Sequence, residues 1–344
     1  MQFGYSEVCL AHDPGSRHPE TPDRLRAIRE RLKKKHGVEY VEADPCDLDR
    51  MAAVHDREYL ESVREFCADG GGSWDPDTTA VEETWDAVRH STGLACWAVD
   101  EALEGATGRE TPFSIGRPPG HHAVYDDAMG FCFVNNAAVA AQYALDTDEY
   151  DVDRVAIVDW DVHHGNGTQD IFYDREDVYF VSIHEQGLYP GTGAIDETGE
   201  DAGAGTTMNV PMPAGTDDGE YLAAVEGPIV RALTDFDPDL LLISAGFDAH
   251  RHDPISRIRL STEAYALMAD RLRTLAADVD AALAFILEGG YGLDVLADSV
   301  AIVHETFDGR EPIEPDSDCG ENAKSALADV AEAHGYELEL ESED

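Results

Sequence analysis

The sequence predicts an α/β fold of three layers, α/β/α, built around a mostly parallel sheet. Short apolar runs recur along the chain and alternate with longer segments of helical periodicity. The runs are apolar on consecutive residues, as strands covered on both faces require. Neither a Ser/Gly linker nor a solenoid-period repeat divides the 344 residues. Residues 1–310 are therefore expected to form one domain, a length that folds with one large sheet commonly reach.

In chain order, helical patterns cover Pro22 to His36, Asp56 to Cys67 and Glu82 to Glu104, and the first apolar run is Thr111 to Ile115. A helix follows over Asn136 to Leu145, then strands at Arg154 to Asp159, Val178 to Ile183 and Thr207 to Val210. Helix Gly219 to Leu233, strand Asp239 to Ser244, helix Thr262 to Asp278 and strand Ala282 to Leu287 complete the alternation. After Pro312 bulky apolar residues become scarce, and from Glu311 to Asp344 twelve acids stand against Lys324 alone. Residues 311–344 read as an acidic tail with one short helix, Ala323 to Ala333, and a solvated extreme end.

Charge separates solvent from partner. The 24 basic and 72 acidic residues give a net charge of −48, spread over every segment, while the hydrophobic fraction of 43% is that of an ordinary globular protein. At low salt this means self-repulsion. The distribution suggests a surface built to stay hydrated in concentrated salt, as in halophiles, where the screening length shrinks to roughly 3 Å. Nucleic acid is excluded as a partner, since its phosphates would be repelled. Six cysteines with no CxxC pair support neither a disulfide framework nor a thiolate zinc site. Met1 to Asp13 lacks a basic region followed by an apolar run, and no stretch of ~18 apolar residues occurs, so a membrane is not expected and the cytoplasm is.

In open parallel sheets ligands bind beyond the carboxyl ends of the strands. Four loops there are unusual: Arg117-Pro118-Pro119-Gly120-His121-His122, Asp159 to Gly167, Gly246-Phe247-Asp248-Ala249-His250, and Glu288-Gly289-Gly290-Tyr291. Asp161 and His163, two apart on an extended segment, point to one side. With Asp248 from another strand end they make a three-ligand catalytic metal site with room for water. A metal makes water more acidic, with a pKa that can approach ~7, but a base must still take the proton. His121 and His122 are adjacent candidates, and Asp159 and Asn166 are the groups available to fix their tautomers.

These motifs, RPPGHHA, GFCFVNN, DWDVHHGNG, YPGTG, GFDAH and EGGY, together resemble the histone-deacetylase superfamily from about Ser16 to about Asp308. The likeness is to the class II-like deacetylases and acetylpolyamine amidohydrolases of prokaryotes, within the arginase/deacetylase-like fold. It implies Asp161, His163 and Asp248 as ligands of one Zn²⁺. It further implies His121 partnered by Asp159, and His122, partnered by Asn166, as general base and acid. The neutral Asn, where class I relatives carry Asp, makes an imidazolium less favourable. Tyr291 resembles the family's electrophilic tyrosine, a donor worth ~3 to 4 kcal/mol in the transition state.

By the same resemblance, Gly130, Phe131 and Tyr189 line a narrow channel for an acyl-lysine chain, Arg24 lies near the acetate exit, and Asp77 binds substrate backbone at the rim. A structural K⁺ is implied at carbonyls of Asp159, Asp161, His163 and Ile183 and the Ser182 hydroxyl. The two-manganese arginase-like alternative requires DxHxD and SxDxD, yet Gly165 and Gly246 stand where the extra carboxylates would be. A non-catalytic acyl-lysine reader would be free to lose residues that are all present here. The expected activity is removal of acetyl from protein lysine, with acetylpolyamines or other small amides as the alternative. The sequence leaves the oligomeric state open.

Overall fold

Val155, Ala156, Ile157 and Val158 follow one another without a polar break, and all four are buried. Alternate residues of a strand face opposite ways, so both sides of this one need cover. In a computed structural model describing residues 1–315 and 319–336, two helical layers supply it. Ala156 and Val158 join a core formed with helices Asp23–Leu32, Thr262–Asp278 and Leu293–Phe307. Val155 and Ile157 join the other core, with helices Arg57–Ala68, Thr84–Leu103 and Asn136–Asp146. The three expected layers are present.

The strands between them, in chain order, are β1 (Gln2–Gly4), β2 (Glu39–Val41), β3 (Gly72–Ser73), β4 (Thr79–Ala80), β5 (Pro112–Ser114), β6 (Val155–Asp159), β7 (Val178–Glu185), β8 (Thr207–Met212), β9 (Leu240–Ala245) and β10 (Ala282–Leu287). Eight form one sheet in the order β2-β1-β5-β10-β9-β6-β7-β8, and every neighbouring pair is parallel. β3 and β4 form a separate antiparallel pair. Register is direct in the centre, with Asp159 of β6 opposite Ser182 of β7 and Ser244 of β9. The carboxyl ends of β5, β10, β9, β6 and β7 are thus neighbours, which is what gathers the loops.

All six expected strands are found, while β1 and β2, three residues each, are too short to register as apolar runs. The expected helix Gly219 to Leu233 is instead Asp218–Ala224, a π turn at Val225–Ile229 and Val230–Phe236. Pro228, which has no N–H to give, lies within the π turn. The helix expected to reach His36 ends at Leu32, after which Lys33, Lys34 and Lys35 continue only as turns. Leu293–Phe307 is a helix beyond those expected, and its buried face packs on Asp23–Leu32 and Thr262–Asp278.

The helix expected at Ala323 to Ala333 is present as Glu321–Ala333 and packs against β8, with Ala323, Leu327, Val330 and Ala331 in the core. The solvated end anticipated beyond it lies outside the described residues. Among the described residues no helix is long and apolar enough to cross a membrane.

One buried histidine ties the middle of the chain together. His55 accepts the Asn135 N–H on Nε2 at 2.9 Å and donates from Nδ1 to the Val124 carbonyl at 2.9 Å. It thereby braces both ends of the 124–135 loop. Burial lowers its pKa to about 4, with the two carbonyls nearby opposing the shift. Above pH 6.5 both folded and unfolded forms are neutral there. Between pH 6.5 and 4 only the unfolded chain takes the proton, so stability falls as the solution is acidified, by up to ~1.4 kcal/mol per pH unit. His55→Gln should show a shallower loss over that window by up to that amount. Denaturant titrations at pH 7, 6, 5 and 4 in high KCl measure it, and equal slopes would remove His55 from the account.

Candidate active site

β6 ends at Asp159, and the chain then alternates: Trp160 and Val162 enter the core while Asp161 and His163 face the rim. β9 ends at Ala245 and is followed by Gly246, Phe247 and Asp248. Ligand atoms of Asp161, His163 and Asp248 all lie within 4.8 Å of one another, and all three residues are buried. Asp161 Oδ2 accepts the Gly289 N–H at 2.7 Å and Asp248 Oδ1 accepts the Val162 N–H at 2.9 Å. Asp248 Oδ2 accepts no hydrogen bond and sits 3.3 Å from His163 Nδ1, which is itself 2.9 Å from Asp161 Oδ1.

A buried carboxylate oxygen without a donor is costly unless a cation answers it. Burial opposes charge on His163, yet Asp161 and Asp248 outweigh it and push its pKa up to about 10. The cluster demands positive charge, and two carboxylates with an imidazole nitrogen suit a divalent ion with an open position.

The close approach depends on two glycines. A Cβ on Gly246 would lie 2.2 Å from Asp161 Oδ2, and one on Gly289 would lie 2.3 Å from Asp248 Oδ2.

The expected histidine partners are in place. His121 Nδ1 donates to Asp159 Oδ2 at 2.8 Å, and His122 Nδ1 donates to Asn166 Oδ1 at 2.7 Å. Their rings stand 4.0 Å apart, and His122 is 5.7 Å from the His163 ring. Burial disfavours charge on both, but Asp159 and Asp161 reverse this for His121 and raise it to about 10. His122 stays well below the usual histidine value, through burial first and then the charge of its neighbour His121. Asp159, raised by burial and lowered by His121, settles at about 6.

Around His122 stand the expected channel residues. Tyr189 meets its ring edge-on at 5.1 Å, and a Cβ on Gly130 would lie 2.3 Å from His122 Cδ2, so only glycine fits. Phe131 stands 5.8 Å from the Tyr291 ring and 4.6 Å from His18. The Tyr291 hydroxyl makes no hydrogen bond among the described residues, and burial holds its pKa well above the usual value. Arg24 is fully buried, not a surface charge: its guanidinium lies 5.0 Å from the Tyr291 ring centre and donates to the carbonyls of Gly290 (2.7 Å) and Glu288. Half-buried Asp77 takes His18 Nε2 on its carbonyl at 2.9 Å. Thr78, next to it, accepts the Phe131 N–H at 3.2 Å, which puts Asp77 beside the channel wall.

Residues 18–307 match the histone deacetylase domain. The chain is 40% identical over 312 residues to histone deacetylase 10, chloroplastic, of Oryza sativa, covering 85% of this chain and 70% of that one. It is 35% identical to the histone deacetylase-like amidohydrolase of Pseudomonas aeruginosa, covering 84% and 81%. A probable deacetylase of Methanothermobacter thermautotrophicus is 38% identical, covering 86% and 87%. The chain belongs to the histone deacetylase family. The crystal structure of the HDA15 HD domain superposes on this deacetylase with a TM-score of 0.88 at 34% identity, covering 97% of this chain and 96% of that one.

The deacetylase has one group of three metal-competent side chains among its described residues. A second ion would need acids at Gly165 and Gly246, where a Cβ alone would come within 2.3 Å of Asp159 Oδ2 and 2.2 Å of Asp161 Oδ2. This weighs against the two-manganese alternative.

Sequence reasoning missed a buried charge network behind the site. Glu20 binds Arg117 (Nε, 2.7 Å), Arg24 (3.2 Å) and His12 (3.4 Å), and Arg117 also donates to the Cys9 carbonyl at 2.7 Å. Burial alone would raise Glu20, but Arg117 and His12 hold it well below the usual range. It missed Glu288 too, whose Oε2 takes the N–H groups of Gly120 (2.8 Å) and His121 (3.2 Å). Arg117 and Glu288 stand inside the quoted motifs, but a motif letter says nothing of its partner, and Glu20 lies outside them, four residues before Arg24.

Gly246→Ala tests the glycine constraint. The methyl should force Asp161 away, so the purified variant should hold less than about a tenth of the wild-type metal and lose at least ~10²-fold in activity, as sites misplaced by about 1 Å do. Metal analysis beside an acetate-release assay measures both, and full metal content would contradict the proposed crowding.

Proposed function

We propose that the chain is a zinc-dependent deacetylase that hydrolyses Nε-acetyl-lysine in proteins, with one zinc ion held by Asp161, His163 and Asp248. The observation that carries this reading is the hydrogen bond from His122 Nδ1 to Asn166, which leaves Nε2 with a free lone pair beside the ligand cluster at the foot of an aromatic channel. A bound zinc ion supplies a Lewis acid and acidifies water.

His122 takes the proton of the attacking water on Nε2 and later delivers it to the leaving amine. Burial and the charged His121 behind it keep it deprotonated beforehand, outweighing the opposite pull of the hydrogen bond to Asn166. The unbonded Tyr291 hydroxyl donates to the carbonyl oxygen as negative charge gathers there. Gly130, Phe131 and Tyr189 sheathe the alkyl chain, Asp77 meets substrate at the rim, and Arg24 lies beneath Tyr291 on the acetate side.

A structural K⁺ belongs to the same proposal, at the carbonyls of Asp159, Asp161, His163 and Ile183 with the Ser182 hydroxyl. The carbonyls of Asp161 and His163 accept no hydrogen bond among the described residues, and buried Ser182 Oγ lies 3.0 Å from His184 Nδ1 and 3.5 Å from the Gly165 N–H. A potassium-rich cytoplasm is the setting this implies. An acetylpolyamine substrate is the second reading, favoured by the carboxylates of Asp75 and Asp77 close to Tyr189, where they would attract a cationic amine. Kinetics on acetyl-lysine peptides and acetylputrescine in high KCl separate the two, and no zinc-dependent acetate release from either would end the deacetylase proposal.

Tyr291→Phe should lower turnover by roughly 10²- to 10³-fold while metal content and the acidic limb of the pH profile stay. His122→Ala should abolish that limb, because the group producing it is gone. Rate profiles from pH 5 to 9, with zinc analysis of each variant, decide between these roles, and full turnover by Tyr291→Phe would sink the oxyanion assignment.

The halophile reading has its own check. Lowering KCl unscreens the carboxylates that give the chain its −48 charge, so the melting temperature should fall. A melting temperature independent of salt would contradict it.

A further inference from the structure

We infer that Asp253 is a positioning residue for Tyr291, holding its main chain at a fixed distance from the metal-ligand loop. The inference rests on the oxyanion role proposed for that tyrosine. Tyr291 lies between Gly290, at φ +120°, and Gly292, so its own backbone is among the least restricted in the site. Its ring has Arg24 at 5.0 Å and Phe131 at 5.8 Å, contacts that guide a ring without fixing its height, and its hydroxyl has no hydrogen bond among the described residues.

Arg24 holds the carbonyls of Glu288 and Gly290 that precede the tyrosine, and on the tyrosine's own N–H side the loop is held by one carboxylate oxygen. Asp253 Oδ2 accepts the N–H of Tyr291 at 2.6 Å and that of Gly292 at 2.8 Å, while Oδ1 accepts the N–H of Ile255 at 3.1 Å. Bonds to an ionised acceptor are roughly twice as strong as neutral ones. Asp253 is itself buried and braced, its N–H donating to the His250 carbonyl at 2.8 Å. Ser256 Oγ closes the same loop onto the Asp248 carbonyl at 2.9 Å. One short loop therefore starts at Asp248, a residue that would hold the metal, and ends by gripping the main chain of Tyr291, so the spacing between the two is set within it.

Asparagine is isosteric at this position but cannot replace the carboxylate. Whichever way its amide turns, the NH₂ faces an N–H, either that of Ile255 or those of Tyr291 and Gly292. Displacement of a reacting group by about 1 Å costs about 10²-fold. Asp253→Asn should thus lower kcat by about 10- to 100-fold on an acetyl-lysine peptide, with KM within about threefold of wild type and zinc content unchanged. Asp253→Ala should lower it further.

The decisive measurement is the pair in combination. In a Tyr291→Phe background the hydroxyl to be positioned is absent, so adding Asp253→Asn should change the rate by less than about twofold. A loss of full size in that background would overturn the inference and leave the oxyanion role intact, since it would mean that Asp253 acts elsewhere. So would a wild-type kcat for Asp253→Asn, or a loss accompanied by loss of zinc. Full turnover by Tyr291→Phe alone would instead defeat the oxyanion reading, and the positioning role with it.

Discussion

Two carboxylates, Asp161 and Asp248, are buried with ligand atoms within 4.8 Å of each other, and much of the local structure serves that unfavourable juxtaposition. Like charges in a poorly solvated site repel strongly unless a cation intervenes. The chain meets part of this demand with main-chain N–H groups of Gly289 and Val162, and part with His163 between the two acids. It also gives up side chains, since glycine at 246 and 289 is what lets the carboxylates approach. A parallel sheet suits such a convergence, because β6, β9 and β10 are adjacent and point the same way. Their carboxyl ends deliver three loops to one place without long excursions.

The fold was legible where its physics is local. Runs such as 155–158, short and rich in β-branched residues, read as strands covered on both faces, and the order of runs and helices implied the layers. Short β1 and β2 were not legible, because three residues carry no periodicity and their place depends on partners far along the chain. The π turn was equally hidden, although Pro228 marked the spot.

In the site, identity and spacing pointed to the chemical groups, while their tautomers and supports depend on contacts across the sheet. That His122 donates to Asn166 and His121 to Asp159 is a matter of 44 and 38 residues of separation. Arg24 could have been a helix-surface charge by pattern alone. It is buried because Glu20, four residues earlier, and two carbonyls of the loop after β10 enclose it. Asp253 carried no signal at all, since an Asp before a Pro is an ordinary turn residue.

The helix Glu321–Ala333 carries a different kind of consequence. β8 ends the sheet on that side, and a final strand presents unpaired main-chain groups to any other extended chain. The helix packs against it with Leu327 and Val330 in the core, while the opposite terminal strand, β2, is only three residues long. One terminal strand is thus flanked by a packed helix, and the other is too short to be a long template for strand addition. A protein truncated before this helix would keep every active-site residue and yet uncover an apolar strip beside an open edge, inviting self-association at the concentrations where an intact chain stays dispersed.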